Sequence, residues 1–161
     1  MKKWAVPQPI AGRAERPQSY FAPAQHPTYR PTRQLPLCMT PEAIKQDFES
    51  AVVKHFSFKA RLRSFLHGNS KEEGPLRDPD QCGMGQWITE RRRGDYKNVP
   101  QMHELDALHR LIHKQANRLM DLHLAGHREE ALAGFGEVQV LADRIQDLLQ
   151  TMEAKLRTAQ A

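Results

Sequence analysis

The sequence predicts an all-α protein: an antiparallel four-helix bundle of three long helices and one short helix, preceded by a disordered, proline-rich tail. Two observations support this fold class. Apolar side chains recur at steps of three and four residues over three long segments, which is the period of a helix with one buried face. No segment shows the alternating apolar and polar pattern of a strand. The chain has 161 residues, 39% hydrophobic and 27% charged, enough for one domain with its own core.

The first 40 residues differ in composition from the rest. They hold seven of the eleven prolines, six of the 24 basic residues and one of the 19 acidic residues. Proline removes a backbone donor and interrupts helices, so we expect residues 1–40 to be a disordered basic tail and residues 41–161 to be the folded domain. The tail's aromatic side chains leave open that it docks on the domain or on a partner. Because residues 41–161 carry 18 charges of each sign, nucleic-acid binding loses its electrostatic support.

The first long helix is predicted to begin at Thr40 and to end near Gly68. Thr40 suits the N-cap, Pro41 the first helical position, and a glycine after the last apolar residue suits the stop. One residue of its apolar face is polar, the histidine at position 55. The face consists of Phe48, Val52, His55, Phe58, Leu62 and Phe65.

Three further helices complete the predicted bundle. A polar loop over residues 69–81 leads to a short helix over 84–93. The second long helix runs from Pro100 to Gly126 and the third over residues 128–157. The core face of the second long helix comprises Leu105, Leu108, Ile112, Ala116 and Leu119. The core face of the third comprises Leu132, Phe135, Val138, Leu141, Ile145, Leu148, Met152 and Leu156.

Three histidines stand out as candidate metal ligands. His109 and His113 are spaced i, i+4, so both lie on one side of their helix and are able to close on one ion. His55 lies on an apolar face, where a buried imidazole needs a partner for each ring nitrogen. That partner is either a metal ion or an ordinary hydrogen-bonding group, and residue spacing alone leaves both interpretations open.

Cys82 is the fourth candidate ligand. It opens the short helix, and a helix N-terminus favours the thiolate that binds zinc. Gly83 and Gly85 allow a close approach of the backbone, while Trp87 can anchor the short helix to the bundle. The alternative is a small buried cysteine that packs beside a core tryptophan.

Taken together, these motifs resemble the chemoreceptor zinc-binding (CZB) domain family over about residues 45–125. The resemblance lies in His55-x-x-Phe58-Lys59, Cys82-x-Met84-Gly85-x-Trp87 and Leu105-x-x-x-His109-x-x-x-His113-x-x-Ala116. It implies a four-helix bundle with a Zn²⁺ site of three histidines and one cysteine, here His55, Cys82, His109 and His113. It also implies homodimers and regulatory work in bacterial chemotaxis or cyclic-di-GMP signalling.

The resemblance and the sequence give further expectations about function. Four protein ligands close a tetrahedral zinc site, so we expect no catalytic residues and no enzyme activity. The expected signal is zinc occupancy or oxidation of Cys82. With no output domain beside the bundle, we expect a stand-alone member acting on a separate signalling protein. Two alternatives remain, an adaptor with a purely structural zinc and a haemerythrin-like metal-binding bundle, although the latter lacks its expected inward carboxylates.

The remaining histidines and the arginine run receive simpler interpretations. The helix rise places His123 about 15 Å and His103 about 9 Å from the nearer histidine of the pair, too far to share its ion. His26, His67 and His127 lie in the tail, the loop and a turn, and none is expected to be a ligand. The run Arg91–Arg93 is expected to be a solvated helix C-terminus.

Sequence features also bear on the compartment. No stretch is long and apolar enough to span a membrane, and prolines interrupt the apolar residues behind the basic start. The two cysteines, Cys38 and Cys82, do not make a disulfide framework. We therefore expect a soluble cytoplasmic protein without nucleic-acid or membrane partners.

Overall fold

A computed structural model describes residues 39–159. This part of the chain is helical and contains no strand, so the predicted all-α class is confirmed. The elements in chain order are α1 (Pro41–Leu66), α2 (Gly74–Arg77), α3 (Gly83–Arg93), α4 (Gln101–Leu124), α5 (Arg128–Ala133) and α6 (Phe135–Thr158). Helices α1, α4 and α6 pack against one another, and the short α3 lies across α1 and α4. The predicted tail and Cys38 lie outside the described residues, apart from Met39 and Thr40.

The limits of α1 follow the sequence signals. The Thr40 side chain accepts a hydrogen bond from the backbone N–H of Ala43 at 3.2 Å, and Pro41 occupies the first turn. Gly68 has a φ of +79°, a left-handed conformation that side chains rarely adopt, and it terminates the helix. The predicted start and end of the first helix are therefore confirmed.

The connection from α1 to α3 is more ordered than the predicted polar loop. One helical turn, α2, lies within it, and its Leu76 side chain is buried. Arg77 donates to the backbone carbonyl of Asn117 and forms an ion pair with Asp121, both on α4. The prediction of an irregular polar loop was wrong here, because one apolar side chain and these polar contacts attach the segment to α4.

The predicted last helix is divided in two. It spans the expected residues, but Gly134 separates α5 from α6. At this point the backbone N–H of Glu137 bonds to the Gly134 carbonyl, three residues back, instead of continuing the four-residue pattern. The break is short because Gly134 keeps right-handed helical angles.

The core face of α6 differs from the predicted face. The buried residues recur at alternating steps of four and three, and they are Val138, Ala142, Ile145, Leu149 and Met152. The predicted Leu141 and Leu148 are half-buried and lie beside this seam. The predicted face is therefore one residue too early at these two positions, whereas all five predicted core residues of α4 are buried.

Within residues 39–159, no helix combines the length and apolar character needed to cross a membrane.

Candidate metal centre

Three of the four candidate ligands meet between α3 and α4. The Cys82 sulfur and one ring nitrogen each from His109 and His113 all lie within 4.8 Å of one another. The three residues are only 4%, 3% and 1% exposed. With zinc bonds of about 2.0–2.3 Å, tetrahedral ligand atoms are separated by roughly 3.3–3.8 Å. The observed group is therefore compact enough to close on one ion with small adjustments.

The local fold explains why Cys82 reaches the two histidines. Cys82 is the N-cap of α3, and its extended backbone (φ −71°, ψ 134°) places it just before the first turn. Gly85 lies against the Pro79 carbonyl. A Cβ added at Gly85 would lie only 2.8 Å from His109 Cε1. A side chain at position 85 would overlap the Pro79 backbone, so glycine permits α3 to approach α4 closely.

The hydrogen bonds of His113 leave one ring nitrogen available. Its Nδ1–H donates to the Leu76 carbonyl at 2.9 Å, so Nε2 carries the lone pair. The Nε2 atoms of both His109 and His113 are buried and have no partner among the described residues. Leaving such a group unpaired costs about 1–3 kcal/mol, and a metal ion is a natural partner. The residues therefore fit a zinc ion, with two imidazole nitrogens and one sulfur directed to the same place.

His55 is buried on α1 but does not join this compact group. It is 2% exposed, and its Nε2–H donates to the Ala142 carbonyl of α6 at 3.0 Å. In this tautomer Nδ1 carries the lone pair. The hydrogen bond satisfies one nitrogen, as expected for a core histidine, and leaves the other for a ligand role. His55 as the fourth ligand stays a prediction.

Burial determines the protonation of all three histidines. It lowers the pKa of His55 to about 4 and, with smaller electrostatic contributions from His113, Arg110 and His55, the pKa of His109 to about 3. Burial also lowers the pKa of His113, although the Leu76 carbonyl opposes this. The imidazoles are therefore neutral at neutral pH, which is the form that coordinates a metal.

The other histidines of the described chain stay outside the group. His67 caps the end of α1, and His127 is exposed beside Glu130. His103 lies next to Arg92, with 3.1 Å between the imidazole and guanidinium nitrogens. His123 packs against Phe65 and has a buried Nδ1 without a partner among residues 39–159. His26 lies outside the described residues.

A polar cluster between α1 and the segment that begins with α3 was missed by the sequence analysis. The Asp47 carboxylate on α1 accepts hydrogen bonds from Trp87 Nε1–H, the Arg91 guanidinium and the Tyr96 hydroxyl. The prediction that the arginine run is simply solvated was therefore wrong for Arg91. It was also wrong for Arg92, which forms an ion pair with Asp106 at 2.6 Å. The sequence did contain an indication of this cluster. Asp47 lies four residues before the buried Ala51, so its side chain borders the apolar face of α1.

The fold and the site define a class: an all-α domain with a buried cysteine–histidine metal centre between two helices. Residues 55–120 match the family model described as the chemoreceptor zinc-binding domain, a segment that contains all four candidate ligands. This match confirms the suspected resemblance over that segment. Zinc is accordingly the metal that both the family and the Cys82–His109–His113 group indicate. No curated protein and no solved structure matches the chain.

Proposed function

We propose that this protein is a non-catalytic zinc-dependent sensor whose ligands are Cys82, His109, His113 and His55. The observation that carries the proposal is the buried group of one sulfur and two unpaired imidazole nitrogens. Zinc, when bound, supplies a cross-link between α3 and α4 that these side chains alone do not provide. With His55 as the fourth ligand the coordination is complete, leaving no position for a substrate or an activated water.

The chemistry of the ligand group supports a sensor over an oxygen-binding or hydrolytic bundle. No carboxylate joins the Cys82–His109–His113 group within residues 39–159. Haemerythrin-like and di-iron bundles use inward carboxylates together with histidine, and hard metal ions prefer oxygen ligands. A thiolate with neutral imidazoles instead suits zinc.

Cys82 is the residue through which we propose that oxidants act. A cavity of about 400 Å³ borders Cys82 and is also lined by Lys54, Ser57 and Arg61. Because Cys82 borders this cavity, we propose that small oxidants approach its sulfur from there. Peroxide would transfer one oxygen atom to the thiolate, forming a sulfur–oxygen bond, breaking the oxygen–oxygen bond and releasing hydroxide. The resulting sulfenic acid is a poorer ligand, so oxidation would weaken the hold of Cys82 on the metal.

The output of the sensor is proposed from the family resemblance. We infer that the protein forms homodimers in the cytoplasm and acts on a separate signalling protein of the chemotaxis or cyclic-di-GMP type. The position of Cys82 at the N-cap of α3 supports a conformational output, because a change at the sulfur acts on a whole short helix packed against α1 and α4.

The direct test of this proposal measures zinc content and oxidant-triggered zinc release. Purified protein is expected to hold about one zinc per chain, and hypochlorite or peroxide is expected to release it to a chromogenic chelator. Cys82→Ser should bind zinc more weakly and lose the oxidant response, whereas the control Cys38→Ser should behave as the parent protein. Unchanged zinc affinity in Cys82→Ser would exclude the site. Equal release from Cys82→Ser and the parent protein would leave zinc occupancy as the signal.

A further inference from the structure

Asp47 is the centre of a nearly buried network between α1 and α3. Its side chain is 9% exposed. Arg91 donates to both carboxylate oxygens, with distances of 2.7 Å from Nη2 and 2.9 Å from Nε. Trp87 Nε1–H donates at 3.0 Å and the Tyr96 hydroxyl at 2.9 Å. One carboxylate thus holds three side chains that follow Cys82 in the sequence.

The network is a charged one. Burial raises the pKa of Asp47, but the hydrogen bonds from Arg91, Trp87 and Tyr96 lower it by more, so the carboxyl group is ionised. The hydrogen bonds that Arg91 donates to Asp47 raise the pKa of Arg91. Loss of one partner from such a pair leaves a poorly solvated charge, which is far more costly than loss of an exposed ion pair.

Tertiary contacts with the rest of the bundle determine the position of helix α3. Its 11 residues are too few for a stable isolated helix, so tertiary contacts must hold it. On one side, Gly85 lies against Pro79 and His109. On the other side, Trp87 packs edge-on against Phe48 of α1 with 5.5 Å between ring centroids, and its indole N–H reaches Asp47.

We propose that Asp47 is a positioning residue for the metal site, acting through α3 to place the Cys82 sulfur against His109 and His113. This inference rests on the proposed zinc function. Asp47 lies on α1 and Cys82 at the N-terminus of α3, and Trp87 and Arg91 connect them within a single rigid helix. Neutralising the carboxylate releases Arg91 and allows α3 to shift, which moves the sulfur but leaves the two histidines of α4 in place.

The test is a double-mutant cycle on zinc affinity. Asp47→Asn is expected to raise the zinc dissociation constant about 10- to 100-fold, as for other residues that orient metal ligands. In a Cys82→Ser background the same change should have almost no effect, because the ligand that Asp47 positions is absent. Glu49→Gln is the matched control, since Glu49 is an exposed carboxylate on α1 and should leave the affinity unchanged.

A second measurement uses the zinc-free protein. In a Cys38→Ser background, Asp47→Asn should accelerate alkylation of Cys82 severalfold, because a displaced α3 uncovers a cysteine that is only 4% exposed in the parent protein. Tyr96→Phe removes one hydrogen bond to Asp47 and keeps the ion pair with Arg91. It should raise the zinc dissociation constant and the alkylation rate in the same direction as Asp47→Asn, but by less. This milder variant keeps the inference testable if Asp47→Asn fails to fold.

The outcomes separate this inference from the proposed function. If Asp47→Asn lowers the zinc affinity equally in the parent and Cys82→Ser backgrounds, Asp47 has a merely structural role. Unchanged zinc affinity and unchanged alkylation in Asp47→Asn would also overturn the inference. If Cys82→Ser binds zinc too weakly to complete the cycle, the alkylation rate decides. Failure of Cys82→Ser itself to weaken zinc binding would instead contradict the proposed function.

Discussion

The three buried histidines make the metal centre sensitive to protons even without metal. His55 and His109 titrate near 6.5 in an unfolded chain, but burial lowers their pKa values to about 4 and about 3 in the fold. Between these limits the unfolded chain binds protons that the folded chain does not. The stability that these residues contribute is therefore complete above about pH 6.5 and declines as the pH falls towards 4.

We predict that the zinc-free protein loses about 2 kcal/mol of stability for each of these two histidines between pH 7 and pH 5. Urea unfolding at several pH values in the presence of a chelator measures this dependence. Asp47 does not contribute in this window, because its lowered pKa affects stability only below about pH 4. His55→Gln should remove about 2 kcal/mol of this pH dependence and leave the part due to His109, while His127→Gln changes an exposed histidine and is the control. A flat profile in the parent protein would contradict the depressed pKa values.

The sequence predicted the His109–His113 pair but not the hydrogen-bond partner of His55 or the role of Asp47, and the difference has a physical reason. His109 and His113 share a helix, so their spacing alone places them together. The partner of His55 is a carbonyl 87 residues away, and Asp47 bonds to residues 40 to 49 positions further along the chain. Such contacts depend on how helices pack, which periodicity within one helix does not reveal.

At the scale of elements, the position of α3 is the feature that completes the metal centre. The helix has glycines at its first and third positions, and their surroundings differ. A Cβ on Gly85 would overlap the Pro79 carbonyl and approach His109 Cε1 at 2.8 Å. A Cβ on Gly83 would meet only the Lys54 side chain, at 3.7 Å.

We predict that Gly85→Ala destabilises the protein by about 1–3 kcal/mol, because the backbone of the α2–α3 connection has to move. The same change should weaken zinc binding by separating Cys82 from His109. Gly83→Ala is the matched control and should change stability by less than about 0.5 kcal/mol. Chemical denaturation and zinc titration of both variants measure the effects. Equal behaviour of the two variants would show that the close approach at Gly85 is not required.

Helix limits were largely predictable, and the exceptions are informative. The caps of α1 and the stop at Gly68 are local signals, and the structure contains them as predicted. Helix α2 is stabilised by the burial of Leu76 and by bonds from Arg77 to α4, and a segment of four residues is too short to show a helical period in the sequence. The face of α6 was harder to predict, because the half-buried Leu141 and Leu148 directly precede the buried Ala142 and Leu149 and are apolar as well.

At the scale of the whole molecule, the bundle and the metal centre stabilise each other. The long helices α1, α4 and α6 bury the apolar core, and this was predictable from their amphipathic pattern. The short α3 joins this core through Met84, Trp87 and Ile88, and its further contacts are the Asp47 network, the close approach at Gly85 and the cysteine–histidine group. A metal that binds this group only in the folded state must raise the free energy of unfolding of the whole bundle.

We predict that removing zinc lowers the melting temperature by roughly 10 °C, because free zinc at 100 times its dissociation constant contributes about 2.7 kcal/mol. Calorimetry of the zinc-loaded and chelator-treated protein measures this shift. In His113→Ala the difference between the two states should shrink strongly, since one ligand is missing and the remaining site is open. The control His127→Ala changes an exposed histidine outside the group and should keep the full difference. An undiminished zinc-dependent shift in His113→Ala would mean that the stabilising metal binds elsewhere.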